Sequence, residues 1–337
     1  MTAAGICTID GLVRHRLAIS FSGGRTSAYM LLHCLKYMAD RETIITFANT
    51  GCEHPATLDF VHRMDQHIGG RVVWLEADVS PVHGKGVGHR VVSYETASRN
   101  GEPFERAVAK YGIFGPSHPQ CTSRLKTEVM ESYCRSIGWP TGEKSRRHLT
   151  AIGIRYDEID RLNTRADALG FIYPLVDAKV TKDMVRDFWS KQPFDLQLPG
   201  DHYGNCVWCW KKSARKLMTL AKDSPDVFDF PRRMEQRYET VKAQNEDGVR
   251  RFFRENRSVD DIFRMAAQPF APYRDNVERD LFSGTWDEAL DIGGACGDSC
   301  EIGADGAHDL NKANTQAEGR ASRTIPRMVG GTIGDKP

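Results

Sequence analysis

The densest chemistry in the chain lies in six consecutive residues, Ser22-Gly23-Gly24-Arg25-Thr26-Ser27, which follow the apolar run at 17–21 and precede an amphipathic stretch. The pattern reads as a strand feeding an anion cradle. Two glycines let a phosphate approach the backbone, and the first turn of the next helix offers unpaired N–H groups and the positive end of its dipole. Ser22, Thr26 and Ser27 add hydroxyls, Arg25 adds a fixed positive charge, and Ser20 at the strand end joins them as a candidate ligand contact. The alternative is an ordinary turn whose hydroxyls cap the helix. The lysine and spacing of the GxxxxGK(S/T) loop are missing, so this is a different kind of phosphate turn.

A second set of groups is sulfur. Cys206 and Cys209 form a CxxC beside Lys211, Lys212, Arg215 and Lys216, a setting that favours thiolates and suits a metal or a cluster edge. Cys121 opens a predicted helix, where the dipole favours the thiolate. Cys296 and Cys300 form a CxxxC that, with the CxxC, satisfies a tetrahedral zinc site. A reduced, unliganded set is the remaining reading, since free cysteine is a common core residue. Cys7 and Cys34 read as packing or surface residues, and Cys52 and Cys134 as spare candidates. A third set is charged. Arg155, Asp157, Glu158 and Arg161 follow a predicted strand, with Arg155 suited to clamp a phosphate and Asp157 or Glu158 to hold Mg²⁺ or orient a nucleophile. For Glu158 with Arg161 a simple ion pair is an equal alternative. Lys85, Arg90, Tyr94, Arg99 and Phe104 interleave charge with aromatic rings, but isolated basic residues on a long loop are the favoured explanation. His54, His83 and His89 receive no role.

These groups need a scaffold. The chain has 337 residues, 46 Lys+Arg against 45 Asp+Glu, and 9 cysteines. It is long enough for one large or two smaller domains, and its near-neutral charge advertises no nucleic-acid or membrane partner. No signal peptide or spanning segment is visible, which predicts a cytoplasmic protein without a membrane partner, whose odd cysteine count points to metal or redox chemistry. Short β-branched runs at 17–21, 43–48, 71–76 and 149–154 alternate with helical periodicity, including Ala28, Leu31, Leu32 and Leu35 on one face. The expected fold is α/β, a doubly wound, mostly parallel, Rossmann-like sheet with a helical C-terminal region. Ligands in such sheets sit beyond the strand ends, which singles out loops 22–27, 49–54 and 153–157. Asn49, Thr50, Gly51 and Gly153 therefore join the candidate nucleotide contacts. Residues 80–120 read as a functional insertion with a helix near 103–110. Helices are expected at 181–191, 210–222, 230–245 and 258–267. The expected division is a nucleotide-binding domain at 1–180, a helical region at 181–290 bearing the CxxC, and a tail at 291–337 too poor in apolar residues to order itself.

Taken in order, these landmarks resemble a known family. Ser22-Gly23-Gly24-Arg25-Thr26-Ser27 resembles the PP-loop, the SGGxxS pyrophosphate signature of the adenine-nucleotide alpha-hydrolase superfamily. Phe47-Ala48-Asn49-Thr50-Gly51-Cys52-Glu53-His54-Pro55-Ala56-Thr57-Leu58 resembles the DTG…PET segment of phosphoadenosine phosphosulfate (PAPS) reductases. The stretches at 119–126, 153–158 and 204–209 complete a similar order, and the likeness spans about two thirds of the chain. Asn49 stands where that segment has aspartate and Ala56 where it has glutamate; the C-terminal ECGxH motif of the assimilatory enzymes is absent. Gln120-Cys121 replaces the Cys-Cys pair of the iron–sulfur relatives. The chain is most similar to shorter members of the kind found in phages and mobile elements. The resemblance implies an adenylyl nucleotide, ATP or one like PAPS or adenosine phosphosulfate, with its pyrophosphate in the loop and Arg25, Arg155 and Asp157 serving adenylation. It further implies a 4Fe–4S cluster on Cys121, Cys206 and Cys209 and sulfur transfer to an acceptor, with a nucleic acid or a sulfur-donor protein as partner. A thiol-dependent PAPS reductase, or a nucleotide-binding module without turnover, are the other functions the sequence leaves open.

Overall fold

The computed structural model describes residues 15–82, 84–243 and 248–275, and the backbone of 8–9 and 12–13. The tail expected at 291–337, with Cys296 and Cys300, lies outside the described residues, as do Cys7 and His83. A two-stranded antiparallel hairpin, β1 (Thr8–Ile9) and β2 (Leu12–Val13), comes first. The main sheet has six strands in the order β6-β5-β4-β3-β7-β8. They are β3 (Arg16–Ser20), β4 (Glu42–Asn49), β5 (Val72–Val79), β6 (Val87–Val92), β7 (His148–Ala151) and β8 (Phe171–Ile172). All pairings are parallel except β5 with β6. The fold is α/β with a mixed, mostly parallel sheet.

Pairing order creates the crevice that matters. From β3 the chain steps to β4 and then β5 on one side, and returns to β7 on the other. Strand order therefore reverses at β3, and the loops after β3 and β7 diverge around one opening. Alternation along β3 decides which helices cover it. Leu17, Ile19 and Phe21 enter a core with Ala28, Met30 and Leu31 of α1 (Arg25–Tyr37) and with Leu58 and Val61 of α2 (Pro55–His67). Each such buried side chain contributes about 2 kcal/mol. The opposite face lies under α3 (Glu102–Tyr111), a π-helical turn at Ser123–Thr127, and α4 (Glu128–Ser136).

After β7 come a 3₁₀ turn (Tyr156–Arg161) and short helices α5 (Ala166–Leu169) and α6 (Pro174–Asp177). Next is α7 (Lys182–Ser190), which returns to α1: Tyr29 meets Phe188 edge-on at 4.9 Å, and Trp189 Nε1 donates to the Arg25 carbonyl at 2.9 Å. The remaining helices, α8 (Ala214–Asp223), α9 (Asp229–Tyr238) and α10 (Val259–Ala266), share a core with the sheet face that holds Leu75 and Ala77. Several bounds differ from the sequence reading. The 80–120 stretch contains β6 as well as α3. The helix expected at 210–222 starts at Ala214, because the Ser213 hydroxyl accepts from Lys216 N and caps it there. The one expected to run to 245 ends at Tyr238. Among the described residues no helix is long and apolar enough to cross a membrane.

Glu235 staples this helical layer. Its buried carboxylate accepts from Phe252 N at 3.2 Å and from Val259 N at 2.9 Å, where α10 begins. Burial pushes the carboxyl up from 4.5 to about 7 despite the two amides, which pull it down. A carboxyl raised in the native state adds stability below its unfolded pKa and loses it as pH rises through the folded one. Glu235→Gln cannot ionise. The unfolding free energy of the wild type relative to this variant is therefore expected to fall by up to about 3 kcal/mol between about pH 5 and pH 8.5 in urea titrations. A difference that stays flat with pH would contradict this.

Candidate functional site

Beyond the end of β3 the backbone turns left-handed at Gly23, φ +85°. A Cβ there would lie 2.8 Å from Thr57 Cγ2, 3.0 Å from Val61 Cγ2 and 3.2 Å from Phe47 Cε2, so α2 and β4 press against the turn and leave room for glycine alone. Gly24 occupies the N-cap of α1 without a side-chain cap. Ser27 braces the turn from one helical turn later: its Oγ takes the Ser22 hydroxyl at 2.8 Å and the Ser22 amide at 3.2 Å, and donates to the Gly24 carbonyl at 3.0 Å. Ser22, Gly23, Gly24 and Arg25 form one wall of a pocket closed by Thr57, Leu196, Asp201 and Asn205. Ser20 is elsewhere: it faces α4, with Oγ 3.8 Å from Met130 Sδ.

The charged groups are brought close but arrive already paired. Arg25 binds Asp195 through both oxygens, at 2.7 and 2.9 Å, and the Leu196 carbonyl at 2.7 Å. Arg155, buried, reaches from the loop after β7 to Thr26 Oγ1 at 2.9 Å and holds Asp157 at 3.0 and 3.3 Å. Glu158 lies 3.4 Å from Arg155 and also pairs with Arg161, and both Glu158 and Arg161 are buried, so this ion pair is not the solvated turn that the sequence offered as the alternative. Arg155 thus ties the loop after β7 to the first turn of α1. Gly153 is buried just after β7 in the same crossing. Asp195 and Asp201 have no local motif to mark them, since they meet their partners across many residues of sequence.

The loop after β4 makes a third wall. Asn49 Nδ2 donates to Glu76 Oε1 and to the Ser98 carbonyl, both at 2.8 Å, while its Oδ1 accepts from Gly51 N at 3.1 Å. Burial alone would raise the Glu76 carboxyl, but the Ser98 amide, Arg90 and Asn49 outweigh it and hold it below its ordinary range. Asn49 is therefore a donor between a carboxylate and a carbonyl, a job that an ionised aspartate could not do. Thr50 donates to Glu53 at 2.8 Å and lies 3.4 Å from Cys206 Sγ. Gly51, φ +79°, packs on Gly101. His54 caps α2, its Nδ1 accepting from Ala56 N at 3.1 Å, a structural part that local sequence did not reveal.

The sulfur residues lie around the loop after β4. Cys206 pairs with Glu53 as an antiparallel bridge, and Cys52 accepts from Val207 N at 3.1 Å, so Cys52, Cys206 and Cys209 gather beside one another. Burial pushes the Cys52 and Cys206 thiols well up, and Glu53 adds to it for both. Cys121 begins the helical stretch that leads into the π-turn, partly buried against the same core. Among the described residues no group of three or more His, Cys, Asp or Glu side chains is arranged to hold a metal ion. Cys34 and Cys134 are buried packing residues, pushed up to about 12 and about 11 by burial. Next to the thiols, beyond Cys52 and Glu53, opens a cleft of about 500 Å³ bordered by His54, Arg99, Asn100 and Arg233.

No family model matches the chain. It is similar to the "Uncharacterized nin region protein ORF290" of Escherichia phage lambda, with 32% identity over 290 residues that cover 84% of this chain and 94% of that protein.

The turn at Gly23 can be weighed against a left-handed glycine with nothing near it. Gly69 has φ +81° and an open surrounding. Gly23→Ala is expected to cost about 1–3 kcal/mol more than Gly69→Ala in urea unfolding, the excess being the contacts with Thr57, Val61 and Phe47. Equal costs would mean that α2 yields freely to the added methyl.

Proposed function

The chain belongs to the family of the nin region protein ORF290 of Escherichia phage lambda, and for it we propose an adenine-nucleotide alpha-hydrolase-like enzyme that binds ATP or a related adenylyl nucleotide at the Ser22–Ser27 turn and transfers its adenylyl group. The observation that carries this reading is the turn itself: a left-handed Gly23 followed by Gly24 at the N-cap of α1, at the point where strand order reverses. The start of a helix favours phosphate oxygens through its backbone amides and the positive end of its dipole. The Ser22–Ser27 bond holds the turn in that shape before any ligand arrives.

In this reading the β,γ-pyrophosphate lies against Ser22, Gly23 and Gly24. An acceptor attacks the α-phosphorus, the bond to the bridging oxygen breaks, and pyrophosphate leaves with the negative charge. Donors fixed in advance around that leaving group stabilise the charge as it develops. Arg155, bonded to Thr26 and Asp157, fixes the loop after β7 against the cradle and orients it. Mg²⁺ accompanying the nucleotide would find the partly exposed Asp157 carboxylate at the edge of this region. The cleft bordered by His54, Arg99 and Arg233 lies on the far side of the Cys52–Glu53 segment and is the space for the acceptor.

A cluster or zinc ion held by Cys121, Cys206 and Cys209, or by the CxxC with Cys296 and Cys300, would supply the sulfur or structural chemistry here, and no step is routed through it. Cys206 and Cys209, with Cys52 beside them, are the thiols that sulfur chemistry would use. Anaerobic purification with iron, sulfide and zinc analysis reads this directly: about four iron and four sulfide per chain would support the cluster, and zinc without sulfide would favour the zinc set.

Calorimetry is expected to show ATP binding. Ser27→Ala, which removes both bonds that brace Ser22, is expected to weaken it about three- to tenfold. Pyrophosphate release in the presence of candidate acceptors is the expected activity. Binding without release would make the chain a nucleotide-binding module, thioredoxin-dependent sulfite release would make it a reductase, and no affinity for any adenylyl nucleotide would overturn the proposal.

A further inference from the structure

Asp201 is an electrostatic contradiction in a pocket built for anions. It lines the same space as Ser22, Gly23 and Gly24, yet it carries a carboxylate. The carboxylate stays ionised: burial pushes its pKa up, but Lys182 and Arg186 outweigh burial and hold it below the ordinary range. Its Oδ2 lies 3.2 Å from Lys182 Nζ and 3.0 Å from Arg186 Nη2. A negative group in a phosphate site must leave, be neutralised by a cation, or be displaced when phosphate enters.

We propose that Lys182 and Arg186 are the second half of the pyrophosphate clamp, opposite the Ser22–Gly24 turn, and that Asp201 is a place-holder whose carboxylate keeps both cations in position until the phosphate takes them over. The inference rests on the reading of that turn as the phosphate site. Lys182 and Arg186 sit four residues apart on α7, so they share one face. That helix is fixed against the site, since Trp189 Nε1 bonds the carbonyl of Arg25, the first residue of α1, and Phe188 packs on Tyr29. The two cationic side chains are about a third exposed, at 34% and 38%, and their stems are long enough to turn. The Asp201 backbone is held separately, its amide donating to both oxygens of Asp275 at 3.1 and 3.0 Å. The side chain can therefore swing away while the wall stays in place. Arg25 follows the same pattern, with Asp195 on its guanidinium. Pairing each cation internally avoids a cluster of like charges in the empty pocket.

The test is titration of inorganic pyrophosphate and of ATP, each with and without Mg²⁺, into wild type, Asp201→Asn, Lys182→Ala/Arg186→Ala and Ser27→Ala. Thermal melts check that each variant is folded. The double variant is expected to lose about tenfold or more in pyrophosphate affinity, whereas Asp201→Asn, which removes the Asp201 charge from both cations at nearly the same size, is expected to gain about threefold or more without Mg²⁺. Ser27→Ala separates the two levels. If wild type binds and Ser27→Ala weakens binding while the double variant binds like wild type, the clamp is refuted and the turn stands. If Asp201→Asn binds more weakly and loses its Mg²⁺ dependence, Asp201 is a cation anchor and the place-holder role is refuted. If wild type binds neither ligand, the clamp and the phosphate turn fall together.

Discussion

One steric constraint organises the crevice end of the main sheet: the methyl of Thr57, a methyl of Val61 and the ring of Phe47 converge on the Cα of Gly23. The convergence fixes where β3 stops and α1 starts, because no side chain fits between strand, turn and α2. It also fixes the direction of α1, whose Arg25 carbonyl is gripped by Trp189 and whose Thr26 hydroxyl is gripped by Arg155. Elements from three parts of the chain are thereby referenced to a single turn. That is the geometry expected where a bound group must be met by preset dipoles rather than by side chains that adjust to it.

Charge is handled by the same logic. Arg25 with Asp195, Arg155 with Asp157 and Glu158, and Lys182 and Arg186 with Asp201 place carboxylates next to the cations nearest the pocket. Partly exposed pairs of this kind contribute little to stability, so their value lies in position. The buried arrangement on the loop after β4 is different. There Glu76 and Glu53 are saturated by Asn49, Ser98 and Thr50, and the network connects the sheet end to the cysteine segment. Replacing a donor such as Asn49 by an acid would bring two buried carboxylates together, and that cost explains the amide at this position.

What the sequence made legible was local. The apolar β3 run, the double glycine and the 3–4 spacing of α1 declare themselves between Leu17 and Leu35, and strand and helix are found there. The strand Val87–Val92 was hidden inside the long insertion because Gly88, His89 and Arg90 break the apolar pattern; it is an edge strand running antiparallel to β5, where polar residues are tolerated. Ser213 stopped a helix that basic and aromatic residues from Trp210 seemed to begin earlier. Cys52 counted as a spare because nothing in its own loop links it to Cys206; the link is a bridge between segments some 150 residues apart. Arg25 and Asp195 are similarly distant, so a residue read as an open charge proves to be one half of a pair.

This division between local and distant information has a physical reason that bears on the chemistry. Backbone dipoles at a glycine turn are specified by neighbours in sequence, because the turn's conformation is a property of four or five residues. The charge state of a pocket is specified by whichever loops fold over it, and these come from the C-terminal half of the chain: Asp195, Asp201 and α7. A phosphate-binding turn can therefore persist while the groups facing it are exchanged, altering what must be displaced when a ligand enters and what stands ready to receive the transferred group. In this chain the exchangeable wall carries Asp201 and Asn205 on the side of the glycine turn, while Cys206, Val207 and Trp208 lie toward the thiols and the larger cleft. A single short segment, residues 201–208, thus separates the pocket at the glycine turn from the larger cleft, so under the proposed function its sequence, more than that of the glycine turn, would set which reaction the turn serves.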